Sequence, residues 1–302
     1  MDVLEELEFD DVIQEFVKLK LRKKYFDLQK VVCYYQGSNG VKLAPPEELD
    51  ASLCTHINYA FIQIDKNGNL TEQNPKIDIG LSMFTRVTSL KKLNPDLKVL
   101  LSVGDTAATW RLILRRDRIF ILFKHILFDG LDIDWEKPEP EDAESFLALL
   151  EELKKEFENF GWTLSAAVYP NPSNGYNTTE IVKYLDFLNL MTYNYFGGWS
   201  IHTGQTSPLF KSSLDSPYEK TYLNVAASIN FWLAAGVPKD KLVVGLAFYG
   251  RSFTLADADD HGLHAPVTGA GITPSATYRQ ISLATATGRQ FGMMNRKTLT
   301  NI

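Results

Sequence analysis

Three features of the sequence predict an α/β fold, a (β/α)₈ TIM barrel that is incomplete, with seven recognisable strands. Short β-rich apolar runs alternate with helical segments, the pattern of a sheet layered with helices. The runs are apolar on both faces, as parallel strands covered on both sides must be. Polar and aromatic residues fall near the C-terminal ends of many runs, namely Tyr34, Phe61, Glu136, Tyr169, Tyr193 and Tyr249, and a barrel assembles its site from such strand ends. An open doubly wound sheet would bind through a glycine-rich turn after its first strand. The turn here, "QGSNGVKLAPP", has neither G-x-G-x-x-G spacing nor a following helix start.

In chain order, residues 1–29 predict an atypical helical extension. "MDVLEELEFDDVIQEFVKLKLRKKYF" alternates acids with apolar residues at helical spacing and lacks the basic start, apolar centre and small-residue cleavage site of a signal peptide. Residues 30–302 form the main domain. Its strands are "VVCYYQG" from Val31, "HINYAFIQI" from His56, "KVLLSVG" from Lys98, "GLDIDWE" from Gly130, "TLSAAVY" from Thr163, "FLNLMTY" from Phe187 and "KLVVGLAFYG" from Lys241. Helices are predicted at "IGLSMFTRVTSLKKLN" from Ile79, "WRLILRRDRIFILFKHILF" from Trp110, "EDAESFLALLEELKKEFENFG" from Glu141 and "LNVAASINFWLAAG" from Leu223. The last two finish at a glycine, the usual C-terminal stop.

The 302 residues are 45% hydrophobic and 23% charged, an ordinary globular composition with ample core material. A net charge of -6, without a basic run beyond Lys18 to Lys24, argues against a nucleic-acid partner. No apolar stretch reaches the ~18 residues of a membrane span, so a soluble chain and, in the absence of other signals, a monomer are expected. No metal or cofactor is expected. Cys33 and Cys54 are too few for a disulfide scaffold or a Cys-only zinc site. Adjacent strands could bring them together, and a single bridge and two buried thiols both remain open. One glycosylation sequon, Asn177-Thr178-Thr179, follows a loop-like stretch.

The segment "FDGLDIDWEKP" carries the chemistry. On a strand, Asp132, Asp134 and Glu136 share one face while Leu131, Ile133 and Trp135 share the other. Alternate side chains stand about 6.6 Å apart, so carboxylates facing a poorly solvated barrel cannot all ionise, and at least one pKa should rise. Glu136, nearest the barrel mouth, is placed to donate a proton, with Asp134 behind it and Asp132 deepest. A solvated acidic edge would leave Leu131, Ile133 and Trp135 without a core. A two-metal phosphoryl site would need a phosphate-cradling loop, and none is read. Glycoside hydrolysis, with a protonated carboxyl beside a stabilising one among aromatics, fits better.

"DGLDIDWE", residues 129–136, resembles the D-x-x-D-x-D-x-E signature of family 18 glycoside hydrolases, the animal chitinases and chitinase-like proteins. "VVCYY", "SLCTHINYAF", "NPDLKVLLSVG", "LMTYN", "TGQTSPL" and "LVVGLAFYGRSFTL" are similar to further family blocks in the same order, from about Val31 to about Gly271. The resemblance implies chitin or chitooligosaccharides as partners and Glu136 as general acid and then base. The substrate's own N-acetyl carbonyl would attack the anomeric carbon. Asp134 would orient the acetamido N–H, Asp132 would accept the compensating proton or hydrogen bond, and Tyr193 would bond the acetamido group. Met191, Tyr34, Phe61, Asn194, Tyr249 and Arg251 would contact substrate. Taken singly, Tyr34, Phe61 and Met191 read as barrel packing and Arg251 as a surface ion pair. The resemblance also implies a Cys33–Cys54 bridge, an extracellular location, and a small α+β insertion beginning after strand seven.

The chain departs from the family at several points. "SVGDTAATW" replaces the usual glycine and tryptophan after the third strand with Asp105 and Thr106, and Asn194 stands where an aspartate is usual. The stretch from "SVGDTAATW" to Phe128 and the loop after the first strand are shorter than the family's. "TYRQISLATATGRQFGMMNRKTLTNI" offers no apolar eighth strand with its tryptophan. These features predict a truncated or mis-assembled member that keeps the catalytic strand. Its rival function is glycan binding without turnover.

Overall fold

Parallel pairing of the predicted runs dominates the computed structural model, which describes residues 30–37, 44–67, 70–105, 128–136, 138–172, 175–278 and 280–281. The strands are β1 (Val32–Gln36), β2 (His56–Ile64), β3 (Leu70–Glu72), β4 (Lys98–Asp105), β5 (Gly130–Trp135), β6 (Thr163–Val168), β7 (Phe187–Leu190), β8 (Leu242–Val244), β9 (Tyr249–Leu255) and β10 (Val267–Thr277). The helices are α1 (Pro75–Asp78), α2 (Met83–Thr88), α3 (Ala143–Glu158), α4 (Thr178–Tyr184), α5 (Pro217–Tyr222) and α6 (Val225–Ala234). The chain divides into two compact units, one of Lys30–Met191 and Phe231–Val243, the other of Thr192–Asn230 with the described residues from Val244 onward.

The first unit holds the main sheet, ordered β1-β2-β4-β5-β6-β7-β8, with the short β3 antiparallel on β2. These seven strands are those of an incomplete (β/α) barrel, and no eighth follows among the described residues. Burial follows position in the sheet. Every residue of β5 and β6 is buried, whereas β1 and β8, at the two ends of the order, are mostly half-exposed.

Outward-facing Trp135 meets Phe146 of α3 edge-on, ring centroids 5.6 Å apart. The helix presents Phe146, Leu149, Leu150, Leu153 and Phe157 as its buried stripe, at the three- and four-residue spacing of an amphipathic helix. The predicted glycine stops are found: Gly161 follows α3 at φ +66° and Gly236 follows α6 at φ +88°. The predicted helix from Ile79 is broken in two, α2 followed by a 3₁₀ turn over Ser89–Lys92. The predicted helix from Trp110 lies outside the described residues, as do residues 1–29. Cys33 and Cys54 are bonded, Cα atoms 6.0 Å apart.

"KLVVGLAFYG" is not one strand. β8 ends at Val244, and β9 starts at Tyr249 in a separate antiparallel pair with β10, Tyr249 opposite Thr277 and Arg251 opposite Ser275. An apolar run does not record which partner its backbone bonds, so the change of sheet is invisible in the pattern. This pair belongs to the second unit and begins the insertion expected after strand seven.

Candidate active site

The first unit contains the acidic row. Register places Asp132 level with Ser102 of β4 and Ser165 of β6, while Asp134 lies level with Gly104 and Ala167. Two residues along the strand, the neighbours change from hydroxyls to side chains that cannot donate.

Asp132 is completely buried and accepts four hydrogen bonds. Tyr34 Oη (2.7 Å) and Ser102 Oγ (2.8 Å) donate to Oδ2, and Ser165 Oγ (2.6 Å) and Asn189 Nδ2 (3.1 Å) donate to Oδ1. Burial raises its pKa, and the four donors act against that rise. Asp134 is also buried, and its Oδ1 makes no hydrogen bond among the described residues. Burial pushes its carboxyl up to about 8, with the Asp132 and then the Glu136 charge adding to the effect. Glu136, just past the end of β5, is exposed. The row therefore runs from buried and saturated, through buried and unpaired, to open.

Asp129, the first acid of the motif, takes no part in this row. It bonds Lys91 Nζ at 2.9 Å and accepts from Val99 N–H at 2.8 Å, and so ties β4 at its beginning. Tyr34 lies within β1 rather than at its end, with its phenol on Asp132 and Asn189 Nδ2 donating to Oη at 3.1 Å. The Tyr34 ring is 39% exposed, but its hydroxyl end is enclosed against Asp132, and that enclosure, then the Asp132 and Asp134 charges, keeps the phenol protonated. Phe61 also lies inside its strand, and its ring covers Gly104 so closely that a Cβ there would stand 2.8 Å from Cδ1. Met191 is buried just after β7. Ser102, Ser165 and Asn189 were not singled out from the sequence. Each is a polar residue in the middle of an apolar strand, which is the signal that would have found them.

The second unit holds the remaining predicted residues. Asn194, in left-handed backbone at φ +62°, accepts at Oδ1 from Tyr249 Oη (2.6 Å), Arg251 Nη2 (2.7 Å) and Arg251 Nε (3.1 Å). The Tyr193 and Tyr249 rings meet edge-on at 6.0 Å. The Arg251 guanidinium also lies over Tyr249 and Trp199, 5.2 and 5.3 Å from the ring centroids. Arg251 is therefore tied into an aromatic and amide cluster, where the sequence left a plain surface ion pair open. Tyr249 begins β9 and does not end a barrel strand, for the reason given above.

Residues 30–301 match the family described as Glycosyl hydrolases family 18. The chain belongs to that family. The match continues beyond Gly271, where the likeness of individual motifs stops, to residue 301. Among relatives of this family 18 member, "Probable chitinase 10" of Drosophila melanogaster is 36% identical over 80% of the chain. "Chitotriosidase-1" of Mus musculus is 34% identical over 80%. The chain spans 12% and 58% of the lengths of these two proteins. The Group IV chitinase of Ostrinia furnacalis superposes with a TM-score of 0.77 at 32% identity, covering 85% of this chain and 79% of that one. Human YKL-39, described as a pseudo-chitinase with retained chitooligosaccharide binding, superposes at 0.73 with 28% identity, covering 85% and 78%. The family thus includes both hydrolysing and merely binding members of this fold.

Proposed function

We propose that the chain hydrolyses β-1,4-linked N-acetylglucosamine polymers, with net retention and with Glu136 as general acid and then base. The observation that supports this most is the unequal environment of the three carboxyls on one face of β5. Glu136, open to solvent, would protonate the glycosidic oxygen as the substrate's N-acetyl carbonyl oxygen attacks the anomeric carbon. Glu136 would then take a proton from the water that opens the oxazolinium-like intermediate. Asp134 would accept the acetamido N–H and balance the developing positive charge, and a proton held within the row spares it a full charge beside Asp132 in the resting state. Asp132, Tyr34, Ser102, Ser165 and Asn189 would fix that arrangement. Tyr193, Met191, Phe61, Asn194, Tyr249 and Arg251 keep the substrate-contact roles that family membership implies. The Cys33–Cys54 bridge supports an extracellular place of action, because such bonds persist in oxidising compartments.

Glycan binding without turnover is the second reading. It is favoured by a barrel order of seven strands, with no eighth among the described residues, and by the likeness to YKL-39. Turnover of a defined N-acetylglucosamine oligomer decides between the two. The enzyme reading expects hydrolysis that falls by about 10²-fold or more in Glu136→Gln, losing general acid catalysis, while oligomer binding persists. Binding by the unsubstituted chain with no product released would leave the second reading standing.

A further inference from the structure

The second unit brings together two histidines and a glutamate that the proposed hydrolysis does not use. His202, Glu219 and His264 each offer a ligand atom, and the three atoms lie within 4.8 Å of one another. His202 Nε2 stands 2.8 Å from Glu219 Oε1, and the two imidazoles stack, centroids 3.9 Å apart and planes 20° from parallel.

What surrounds these groups resembles the support of a metal site. His202 Nδ1 faces the Thr203 carbonyl at 2.9 Å, which places the ring proton on Nδ1 and turns the Nε2 lone pair toward Glu219. His264 Nε2 faces Asp215 Oδ1 at 3.0 Å, and a proton there leaves Nδ1 as the donor atom. An imidazole oriented by a carbonyl or a carboxylate through its other nitrogen is the usual arrangement of a metal-bound histidine. Glu219 is anchored too, since its Oε2 accepts from Ser216 N–H at 2.7 Å in the capping box that opens α5.

The backbone is arranged to the same end. His264 adopts left-handed backbone at φ +65°, unfavourable for a non-glycine residue. Thr203 holds it there: its carbonyl accepts from His264 N–H, its N–H donates to Ala265 O, and its hydroxyl bonds Gly262 O and Ala265 N. The Phe196 ring lies 5.6 Å from His202 and 6.5 Å from His264, an apolar wall beside the cluster.

We propose that His202, Glu219 and His264 form a binding site for a divalent cation of zinc type. Two neutral imidazoles and one carboxylate suit zinc, with water as the fourth ligand. Bonds of about 2.0–2.1 Å place tetrahedral ligand atoms about 3.3 Å apart, so the His202–Glu219 edge, 2.8 Å, opens slightly. The cation would join the segment at His202, helix α5 and the loop before β10.

Zinc titration into the tag-free full chain, read by calorimetry and by metal content after dialysis, tests the proposal. The expected result is one zinc per chain at micromolar affinity or tighter, with a rise in melting temperature. His202→Ala and His264→Asn should each weaken binding by about tenfold or more, and His261→Ala, a neighbouring histidine outside the cluster, should not. Cobalt in place of zinc should give visible absorption that is lost in Glu219→Gln, a readout that does not depend on hydrolysis. Absence of saturable uptake, or uptake unchanged in His202→Ala and His264→Asn variants that keep their circular dichroism, would overturn the proposal. The cluster would then be a metal-free hydrogen-bond network.

Discussion

Asp132 and Asp134 carry the same carboxyl two residues apart and differ because of what their neighbours offer. Ser102 and Ser165 flank the first, Gly104 and Ala167 the second. Removing one donor from Asp132 with Ser165→Ala leaves a buried carboxyl short of a partner. It should cost about 1–3 kcal/mol, read as a lower urea midpoint with an unchanged slope. For Asp134 the sign follows from its raised pKa. The folded chain keeps the proton between the unfolded value, about 4, and about 8, while the unfolded chain has lost it. Stability should therefore fall as pH rises through that window, by up to ~1.4 kcal/mol per pH unit, and level off above it. Denaturation series across pH should show this slope, and Asp134→Asn should flatten it. Neither difference is legible in "DIDWE" alone, because strand register decides which neighbours face each acid.

The strands around this row are secured at their beginnings by a repeated device. Asp129 accepts from Val99 N–H and pairs with Lys91, and Asp186 accepts from Leu164 N–H and pairs with Lys154. Conserving stability at the N-terminal ends and chemistry at the C-terminal ends is the division of labour of a barrel. At Gly130 the backbones approach so closely that a Cβ would stand 1.9 Å from the Thr163 carbonyl oxygen. Gly130→Ala should push β5 from β6 and cost several kcal/mol, among the large effects of single substitutions, with loss of soluble protein or a lower melting temperature as the readout. Apolar runs located the seven main strands, five of them within a residue of the observed limits, while the run from Phe187 overshoots β7 by three residues. The short β3 was missed because three residues carry little periodicity, and the β8 to β9 break because both halves are apolar.

At the scale of the molecule, burial falls from β5 and β6 toward β1 and β8, the two ends of the strand order among the described residues. The Cys33–Cys54 bond ties β1 to the segment entering β2 across a sequence separation of 21. Cross-linking a loop of this length removes unfolded-state entropy worth about 3 kcal/mol. Reduction, or Cys33→Ser with Cys54→Ser, should therefore lower the melting temperature measurably and leave the proposed Glu136-dependent turnover unchanged wherever the chain remains folded. A melting temperature indifferent to reductant would show that β1 is held by its pairing with β2 alone.

Taken by itself, the sequence determined the parallel α/β architecture, the inward face of β5 and the family, because each is written in local periodicity or in a contiguous motif. Tertiary structure decided which hydroxyls and amide saturate Asp132, why Asp134 is left unpaired, and that Asn194, Tyr249 and Arg251 share one amide oxygen. It also brought His202, Glu219 and His264 together from three separate segments. Such contacts depend on register and on chain closure between distant residues, and neither leaves a trace in the order of neighbours along the chain.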